Sequence, residues 1–510
     1  RQLYMGNHNS ETGFSGPQRN TVTEAEIEEQ ILRMRTSFAE TYCLNGHPLE
    51  SFSPEMQLAF ELNDIVYPKT KKPLREFPVH AATHYVTQIT SLDNANLGNL
   101  KKLQTIYIAF SPIKNLPDDL KDCEALTDLE IFACPDIEVF PDVVGEIPKL
   151  NTLIFSSNPR VSKQEVERGL RTLNTKAANI AGGSRLQALQ LPAQQFDVLP
   201  DLTNLKRLGL LNIQSCKIKS FEKAFGKEHY FSSILAGDNE LSSLPTDDEG
   251  YFMGLHSELE AVDFSFNRFT ELPNIFDGES LFTLRSVSFA NNQIVALQGA
   301  ADGSWRGIRV EVLALGFNRF AEFPRFFTND RTCSRITYLQ LQGNRIETFG
   351  EEVLDGDHEK VSSLTSLDLS MNKLTELPSN FSPRTLPYLF GLDLSYNRFD
   401  RFQYKPLNCS SLTSYIFRGQ RDAEGNRCMK EWPSNVSLHK GLRVLCLGSN
   451  DIRKVDDQTI SYLIYNLEIL DNPNIVIDLS DVCRYIKAGM FRLAYDADQD
   501  IRGCAVLELN

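Results

Sequence analysis

The sequence predicts an α/β solenoid, a coil of short parallel strands joined by returning segments, and three observations support this fold class. One spacing of apolar residues recurs through most of the 510-residue chain, and residues 364–378 show it in full. The Leu-x-Leu centre of that spacing alternates with period two, as a strand does when one of its faces is buried. A polar residue also occupies one fixed place on the buried side of each repeat. Repetition of all three features predicts one elongated body and no chain of separate globular domains.

The fixed polar residue predicts a structural hydrogen-bond network. Leu367 and Leu369 point inward on this alternation, while Asp368 and Ser370 point outward. A buried amide without partners costs about 1–3 kcal/mol, so Asn372 is expected to bond the backbone of its own turn and of the neighbouring turn. If every repeat does so, the amides form a ladder. The predicted ladder residues are Asn158, Asn239, Asn267, Asn292, Asn318, Asn344, Asn372, Asn397, Asn450 and Asn472.

The spacing Leu-x-x-Leu-x-Leu-x-x-Asn/Cys-x-Leu resembles the leucine-rich repeat, which implies one strand per repeat along the concave side of a horseshoe. We count about fifteen repeats on this spacing. Their first apolar positions are Leu103, Leu126, Leu150, Leu186, Leu208, Phe231, Leu259, Leu284, Val310, Ile336, Leu364, Leu389, Leu412, Leu442 and Ile464. The ladder position departs from Asn at Ser111, Cys134, Gln194, Cys216 and Gln420. The chain looks similar to uncharacterised secreted or surface-attached leucine-rich-repeat proteins of bacteria.

The remaining elements are assigned in chain order. Residues 1–18 are predicted to be a flexible lead-in, and residues 19–98 a helical N-terminal unit that ends in a capping strand over residues 85–91. This unit includes a helix that begins with a capping box from Thr23 to Glu26. The leucine-rich-repeat domain covers residues 99–477. Residues 478–510 form a small C-terminal cap, with a helix predicted over residues 481–490.

Two long intervals between repeats predict inserts, a helical one over residues 162–181 and a polar loop over residues 419–426. Inserts in solenoids emerge on one side, so both are candidate partner contacts or simply tolerated decorations. The cysteines leave two pairings open, Cys409 with Cys428 and Cys483 with Cys504. Cys134 and Cys216 are expected to be buried thiols of the ladder.

Composition excludes several classes of function. A formal charge of -15 and a sequence pI near 5.2 argue against nucleic-acid binding, which needs a basic surface. No apolar run reaches the roughly 18–20 residues that a transmembrane segment needs. The Asp496, Asp498 and Asp500 alternation lacks the Gly and Glu of a calcium loop. We therefore predict no catalytic residues, no metal site and no cofactor.

The outward strand positions are the predicted partner-binding surface. These concave residues are Tyr107, Glu130, Phe132, Asp263, Ser265, Ser288, Tyr338, Gln340, Asp368, Asp393 and Arg418. A candidate aromatic rim just beyond the strands consists of Phe110, Phe266, Phe317 and Tyr396, which would otherwise pack between adjacent turns. The family resemblance implies a non-catalytic scaffold, and the faintly acidic face predicts a neutral or basic protein or extended peptide as its partner. A surface glycan or cell-wall receptor and a purely structural spacer are the alternatives. The resemblance also implies a secreted or cell-surface location.

Overall fold

The computed structural model describes most of the repeat region and little of the N-terminal part. The described residues are 81–85, 91–93, 97–109, 112–222, 225, 229, 231–246, 258–273, 284–297, 310–324, 336–349, 363–434, 436, 439–453, 455 and 464–503. The predicted lead-in and the predicted helices of the N-terminal unit lie outside these residues. Within them the chain forms two compact units, residues 1–196 with 204–207 and residues 197–203 with 208–510.

The first unit is built on a sheet of parallel strands that follow one another in chain order. The strands are β1 (Ala81–Tyr85), β2 (Thr105–Ala109), β3 (Asp128–Phe132), β4 (Thr152–Ser156) and β5 (Ala188–Gln190). β1 pairs with the strand of the first repeat, as a capping strand should, but it begins at Ala81 and not at residue 85. The 3₁₀ segments Leu97–Asn99, Asp118–Asp122 and Asp142–Glu146 return the chain between strands.

The predicted helical insert is confirmed as α1 (Lys163–Ala177) in the first unit. Ser162 caps it, because its hydroxyl accepts a hydrogen bond from the Glu165 backbone N–H at 3.2 Å. Gly169 lies against the ring of Phe140 so closely that a β-carbon there would overlap the ring. The Arg168 guanidinium then joins Glu165 of the same helix to Asp142 of the preceding return. The insert is therefore packed against its unit.

The second unit repeats the same strand with a shorter length. Its strands are β6 (Val198–Leu199), β7 (Leu210–Asn212), β8 (Ser220–Phe221), β9 (Ser233–Leu235), β10 (Ala261–Asp263), β11 (Glu271–Leu272), β12 (Ser286–Ser288), β13 (Ala296–Leu297), β14 (Val312–Ala314), β15 (Tyr338–Gln340), β16 (Ser366–Asp368), β17 (Gly391–Asp393), β18 (Ser414–Ile416), β19 (Val444–Cys446), β20 (Asn466–Glu468), β21 (Val476–Asp478), β22 (Arg492–Ala494) and β23 (Asp500–Arg502). A 3₁₀ segment, Lys405–Asn408, lies between β17 and β18.

The strands of the second unit divide between one long sheet and three short pairs. The long sheet runs in parallel from β7 through β9, β10, β12, β14 to β20 and β22. The pairs β6–β8, β11–β13 and β21–β23 lie on the returning segments. The register keeps like positions together, since Leu367 lies between Leu339 and Leu392. All three side chains are buried, so the predicted alternation is confirmed.

The predicted leucine-rich-repeat solenoid with its parallel sheet is thus confirmed, with one difference in count. The solenoid makes about 13 turns, slightly fewer than the fifteen predicted repeats. Phe225 and Phe381, which lie on returning segments, are buried.

The C-terminal end continues the sheet and then closes it. The predicted helix over residues 481–490 is shorter in the structure, with a 3₁₀ turn at Ser480–Val482 and α2 (Cys483–Lys487). Gly489 has a φ of +70°, a left-handed conformation that ends the helix. β22 pairs with β20, and β23 pairs with β21. The domain boundaries at residues 18, 98 and 477 stay predictions.

The two predicted cysteine pairings have different outcomes in the structure. Cys483 is disulfide-bonded, and Cys504 lies outside the described residues. The pairing of Cys409 with Cys428 is wrong, because both thiols are free. Cys409 is fully buried, and the Cys428 thiol donates to the backbone carbonyl of Phe399 at 3.1 Å. Within the described part of the chain, no helix is long and apolar enough to cross a bilayer.

Candidate functional site

The ladder of buried side chains connects the repeats whose outward residues form the candidate surface. The Asn372 amide nitrogen donates to the carbonyls of Leu341 at 2.9 Å and Leu369 at 3.0 Å. Its Oδ1 accepts the backbone N–H of Ile346 at 3.0 Å. All ten predicted Asn side chains are buried, at 8% exposure or less. Each repeat is therefore bonded to its neighbour through an amide whose donors and acceptor are both used.

The departures from Asn occupy the same ladder position. The Gln194 side chain exchanges two hydrogen bonds with the backbone of Asn158, and Gln420 accepts the Phe399 N–H at 3.3 Å. Cys134 and Cys216 are fully buried there, as predicted. Ser111 lies outside the described residues. Sequence analysis missed Gln499, whose amide donates to the carbonyl of Ile469 at 2.8 Å and extends the ladder into the C-terminal cap.

The acidic concave residues of the second unit share one local geometry. Asp263, Asp368 and Asp393 each use Oδ1 to accept the backbone N–H of the serine two residues later, at 2.9, 2.9 and 2.8 Å. These serines are Ser265, Ser370 and Ser395. Asn212 makes the equivalent bond to Gln214 at 3.2 Å, so an amide can replace the carboxylate at this position.

Asp368 and Asp393 are brought together by the fold, because they face each other on the adjacent strands β16 and β17. Burial raises the pKa of the Asp393 carboxyl, the hydrogen bonds from Ser395 lower it, and the neighbouring Asp368 charge raises it further. Asp263 lies in the same row on β10, next to Ser288 on β12. The two adjacent carboxylates make this part of the concave face the most acidic part of that row.

Arg418 lies close enough to Asp393 for its positive charge to offset part of the rise in the Asp393 pKa. Its Nε donates to Glu468 Oε2 at 2.8 Å, and the two residues belong to repeats separated by the repeat of β19. Gly448 lies under this ion pair, where a β-carbon would overlap the Glu468 carboxylate. The positive charge of Arg418 is thus shared between its ion-pair partner Glu468 and the nearby Asp393.

The other predicted concave residues differ in their exposure to solvent. Tyr338 is 40% exposed on β15, and Gln340 is half-buried on the same strand. In the first unit Tyr107 is only 9% exposed, while its register partner Glu130 and the nearby Phe132 are half-buried. Burial raises the pKa of the Glu130 carboxyl to about 7.

The predicted aromatic rim occupies a distinct backbone conformation. Phe266, Phe317 and Tyr396 have φ of +52°, +55° and +55°, and each immediately precedes a ladder asparagine. They are 56%, 42% and 49% exposed. Sequence analysis missed Met371, which has the same position, a φ of +56° and 49% exposure. Its place just before Asn372 was the available signal. Phe110 lies outside the described residues.

Two of these rings also pack against the next turn. A β-carbon on Gly343 would overlap the Phe317 ring, and one on Gly419 would overlap the Tyr396 ring. One side of each ring therefore packs against the adjacent turn. The exposure of both rings shows that another part of each remains in solvent, so packing and partner contact are compatible.

The loop over residues 419–426 is anchored by arginines on its two sides. Arg421 donates to the carbonyl of Ser449 at 2.6 Å, and Arg427 donates to that of Asn450 at 2.8 Å. Asp422 accepts the Asn426 N–H at 2.7 Å, which closes the loop. Residues 423–426 at the tip are exposed.

The acidic residues at the C-terminal end have structural partners. Asp496 accepts the backbone N–H of Asp471, and Asp500 forms an ion pair with Arg502. Across the described residues, no group of three or more His, Cys, Asp or Glu side chains is placed to hold a metal ion.

Comparison with known proteins agrees with this architecture. The family profile "Leucine Rich Repeat" matches residues 363–383. The chain has the leucine-rich-repeat fold. A leucine-rich-repeat protein from Bacteroides thetaiotaomicron has 30% identity and a TM-score of 0.71, with 90% of this chain and 57% of that chain covered. One from Bacteroides eggerthii has 29% identity and a TM-score of 0.70, with 98% and 83% covered. The resemblance to bacterial leucine-rich-repeat proteins is thus supported.

Curated relatives extend the similarity to animal proteins. Mouse podocan-like protein 1 is 25% identical over 381 residues, which cover 70% of this chain and 62% of that protein. Mouse podocan is 29% identical over 213 residues, and the match spans only 33% of its length. This chain is therefore also similar to leucine-rich-repeat proteins of animals.

Proposed function

We propose that this leucine-rich-repeat protein is a non-catalytic scaffold whose concave face recognises another protein or an extended peptide of neutral or basic character. The observation that carries the proposal is the adjacent pair Asp368 and Asp393 on the parallel sheet, whose neighbour Arg418 forms its ion pair with Glu468. A pre-formed surface loses little conformational entropy on binding. Fixed carboxylates that face one side favour a partner with cationic side chains.

A glycan or cell-wall ligand is the second candidate, and the exposed rings of Phe266, Phe317 and Tyr396 favour it. Aromatic faces bind sugars by stacking, but Phe266 and Tyr396 lie on repeats that also carry Asp263 and Asp393. These carboxylates repel an acidic glycan, whereas a basic protein partner is attracted to them. We therefore rank the protein partner first, and a spacer without a binding face third.

We also propose a secreted or cell-surface location. The disulfide at Cys483 supports it, because disulfides persist mainly in oxidising compartments. The resemblance to bacterial leucine-rich-repeat proteins is compatible with the same location.

A capture experiment tests the concave-face proposal. The chain and the variant Asp263→Arg/Asp368→Arg/Asp393→Arg are immobilised and exposed to microbial and host extracts. A matched control, Glu271→Arg/Glu376→Arg/Asp400→Arg, makes the same charge change in the returning segments of the same three repeats, where all three residues are exposed. Circular dichroism must show that all three proteins are folded.

The proposal expects a protein that the native chain and the control retain and the concave variant loses. Equal retention by all three proteins would contradict it and would favour the loop over residues 419–426 or a spacer role. Because Asp→Arg also removes the bond to the serine N–H, the milder Asp263→Asn/Asp368→Asn/Asp393→Asn variant is measured in parallel. Asn212 shows that an amide keeps this bond.

A further inference from the structure

Resting on the proposed function, we infer that the second unit binds an amphipathic helix of its partner, with Lys or Arg side chains along one flank. The apolar stripe of that helix contacts a ledge formed by Phe266, Phe317, Met371 and Tyr396. Its cationic flank contacts Asp263, Asp368 and Asp393.

The ledge residues lie in one row at four of six successive turns, and Asn291 and Gly343 occupy the other two. The Phe266 N–H donates to the Ala290 carbonyl, the Phe317 N–H to Gln342 and the Met371 N–H to Ser395, at 2.9, 2.6 and 2.8 Å. These equivalent bonds place the row in register. From Phe266 to Tyr396 it crosses β10, β12, β14, β15, β16 and β17. Five steps of about 4.8 Å give a ledge roughly 24 Å long.

The turn does not require apolar side chains in this row. Other repeats of the same unit place Ser215, Asp238, Asn291, Ser449 and Asp471 there, all with positive φ. Asn and Asp tolerate this conformation better than bulky residues do. Four large side chains at the least favourable backbone conformation, each 42% exposed or more, present an apolar surface that folding alone does not account for.

Three of the four ledge residues have an aspartate of the acidic row in the same repeat, whereas Phe317 has Ala314 there. Asp263 stands three residues before Phe266, Asp368 three before Met371 and Asp393 three before Tyr396. The strands end at the three aspartates, and the ledge residues three positions later have positive φ, so the two rows are at most about 10 Å apart. An α-helix with its side chains is about 10–12 Å wide, so one helix can lie over both rows. A segment of about 16 residues matches the length of the ledge at 1.5 Å per residue.

The carboxylates of the acidic row favour a basic amphipathic helix over an acidic one. At the C-terminal end the acidic row passes through Ile416 and Cys446 to Glu468, which is already paired with Arg418. The part of the row that carries Asp368 and Asp393 therefore coincides with the ledge. An acidic amphipathic helix would place like charges over these two carboxylates, and a basic one places opposite charges there.

Synthetic helices are the probe. We would measure the affinity of fluorescent Leu/Lys amphipathic helices of about 18 residues by anisotropy, next to Leu/Glu and Ser/Lys peptides of the same pattern. A Leu/Lys peptide with two central prolines, which cannot form the helix, tests an extended occupant. The variants are Phe317→Asn/Tyr396→Asn, copied from Asn291, and Asp368→Asn/Asp393→Asn, copied from Asn212. Glu376→Gln/Asp400→Asn removes the same charge from the returning segments.

We expect the Leu/Lys helix to bind about tenfold tighter than the other peptides, and each of the ledge and Asp variants to weaken it about tenfold. The returning-segment control should change the affinity less than about twofold. Equal binding of the proline peptide would replace the helix with an extended occupant and overturn this inference. Binding that both Asn variants leave unchanged would overturn it as well.

Failure of this inference is distinguishable from failure of the proposed function. If a natural partner is lost by the concave Asp→Arg variant but retained by Phe317→Asn/Tyr396→Asn, the concave-face proposal stands and the ledge inference fails. A partner that all variants retain contradicts both. Urea unfolding of each variant shows whether a loss of binding reflects a loss of folding.

Discussion

The ladder and the ledge are two rows only one residue apart, and they are under opposite constraints. Asn372 is 6% exposed, and its amide is bonded on both sides, whereas Met371 next to it is 49% exposed. The ladder position accepts only Asn, Gln or Cys among the described repeats of the second unit. The ledge position accepts Ser, Asp, Asn, Gly, Met, Phe and Tyr there.

The two rows show which positions of a repeat protein can carry function. A position that every repeat must satisfy in the same way reports the fold. A position that each repeat fills differently, while the backbone stays the same, is free to carry recognition. Substitutions at the two positions should therefore differ in their effects on stability and on binding.

Replacing a ladder residue should have the largest effect. Asn372→Leu removes the donor to Leu341 and Leu369 and the acceptor for Ile346. Each buried group left unpaired costs about 1–3 kcal/mol, so we expect a loss of about 3–5 kcal/mol in the free energy of unfolding. Urea titration measures it. Asn372→Cys, which copies the thiol found at Cys216, should lose less, and equal losses for Leu and Cys would show that the hydrogen bonds are not the cause.

Glu130 should make stability depend on pH. Its folded pKa, near 7, lies above its ordinary value, so its contribution is fully present below about pH 4 and is lost as the pH rises to about 7. The loss is at most about 3 kcal/mol. Glu130→Gln should abolish this slope and unfold at higher urea than the native chain at pH 8. The exposed Glu138→Gln is the control, and a native slope that survives in Glu130→Gln would contradict the assignment.

Gly343 occupies a ledge position and lies beneath the Phe317 ring of the preceding repeat. Gly343→Ala adds a β-carbon that overlaps the ring and an L side chain at a φ of +67°. We expect a loss of about 1–3 kcal/mol. Gly425→Ala is the matched control, since its φ is +88° and no atom lies within 4 Å of the added carbon. If the two variants unfold at the same urea concentration, ring packing contributes nothing.

The ledge itself should barely affect stability. Phe317→Asn loses contact with Gly343 but places at the positive φ a residue that tolerates it. We expect a change within about 1 kcal/mol in the free energy of unfolding, together with the loss of helix binding described above. Calorimetry and the peptide titration are run on the same preparation. A large destabilisation would place Phe317 with the ladder and remove the basis of the comparison.

Much of the fold followed from the sequence because it is local and repeated. The strand positions, the inward leucines, the ladder asparagines and the helix capped by Ser162 are all set by residues a few positions apart. Repetition then fixes the register, since each repeat must bury the same face as its neighbour. The concave position of Asp368 and Asp393 followed from the same alternation.

Only the tertiary structure could decide contacts between residues far apart in sequence. The Arg418 pair with Glu468 depends on the absence of a side chain at Gly448, and the fate of Cys409 and Cys428 depends on packing. Gln499 extends the ladder from a segment that has no repeat spacing. The exposure of Met371 and the burial of Glu130 depend on what neighbouring turns cover. The pattern of residues along the chain determined the repeat, and packing between repeats determined which of its outward side chains remain available to a partner.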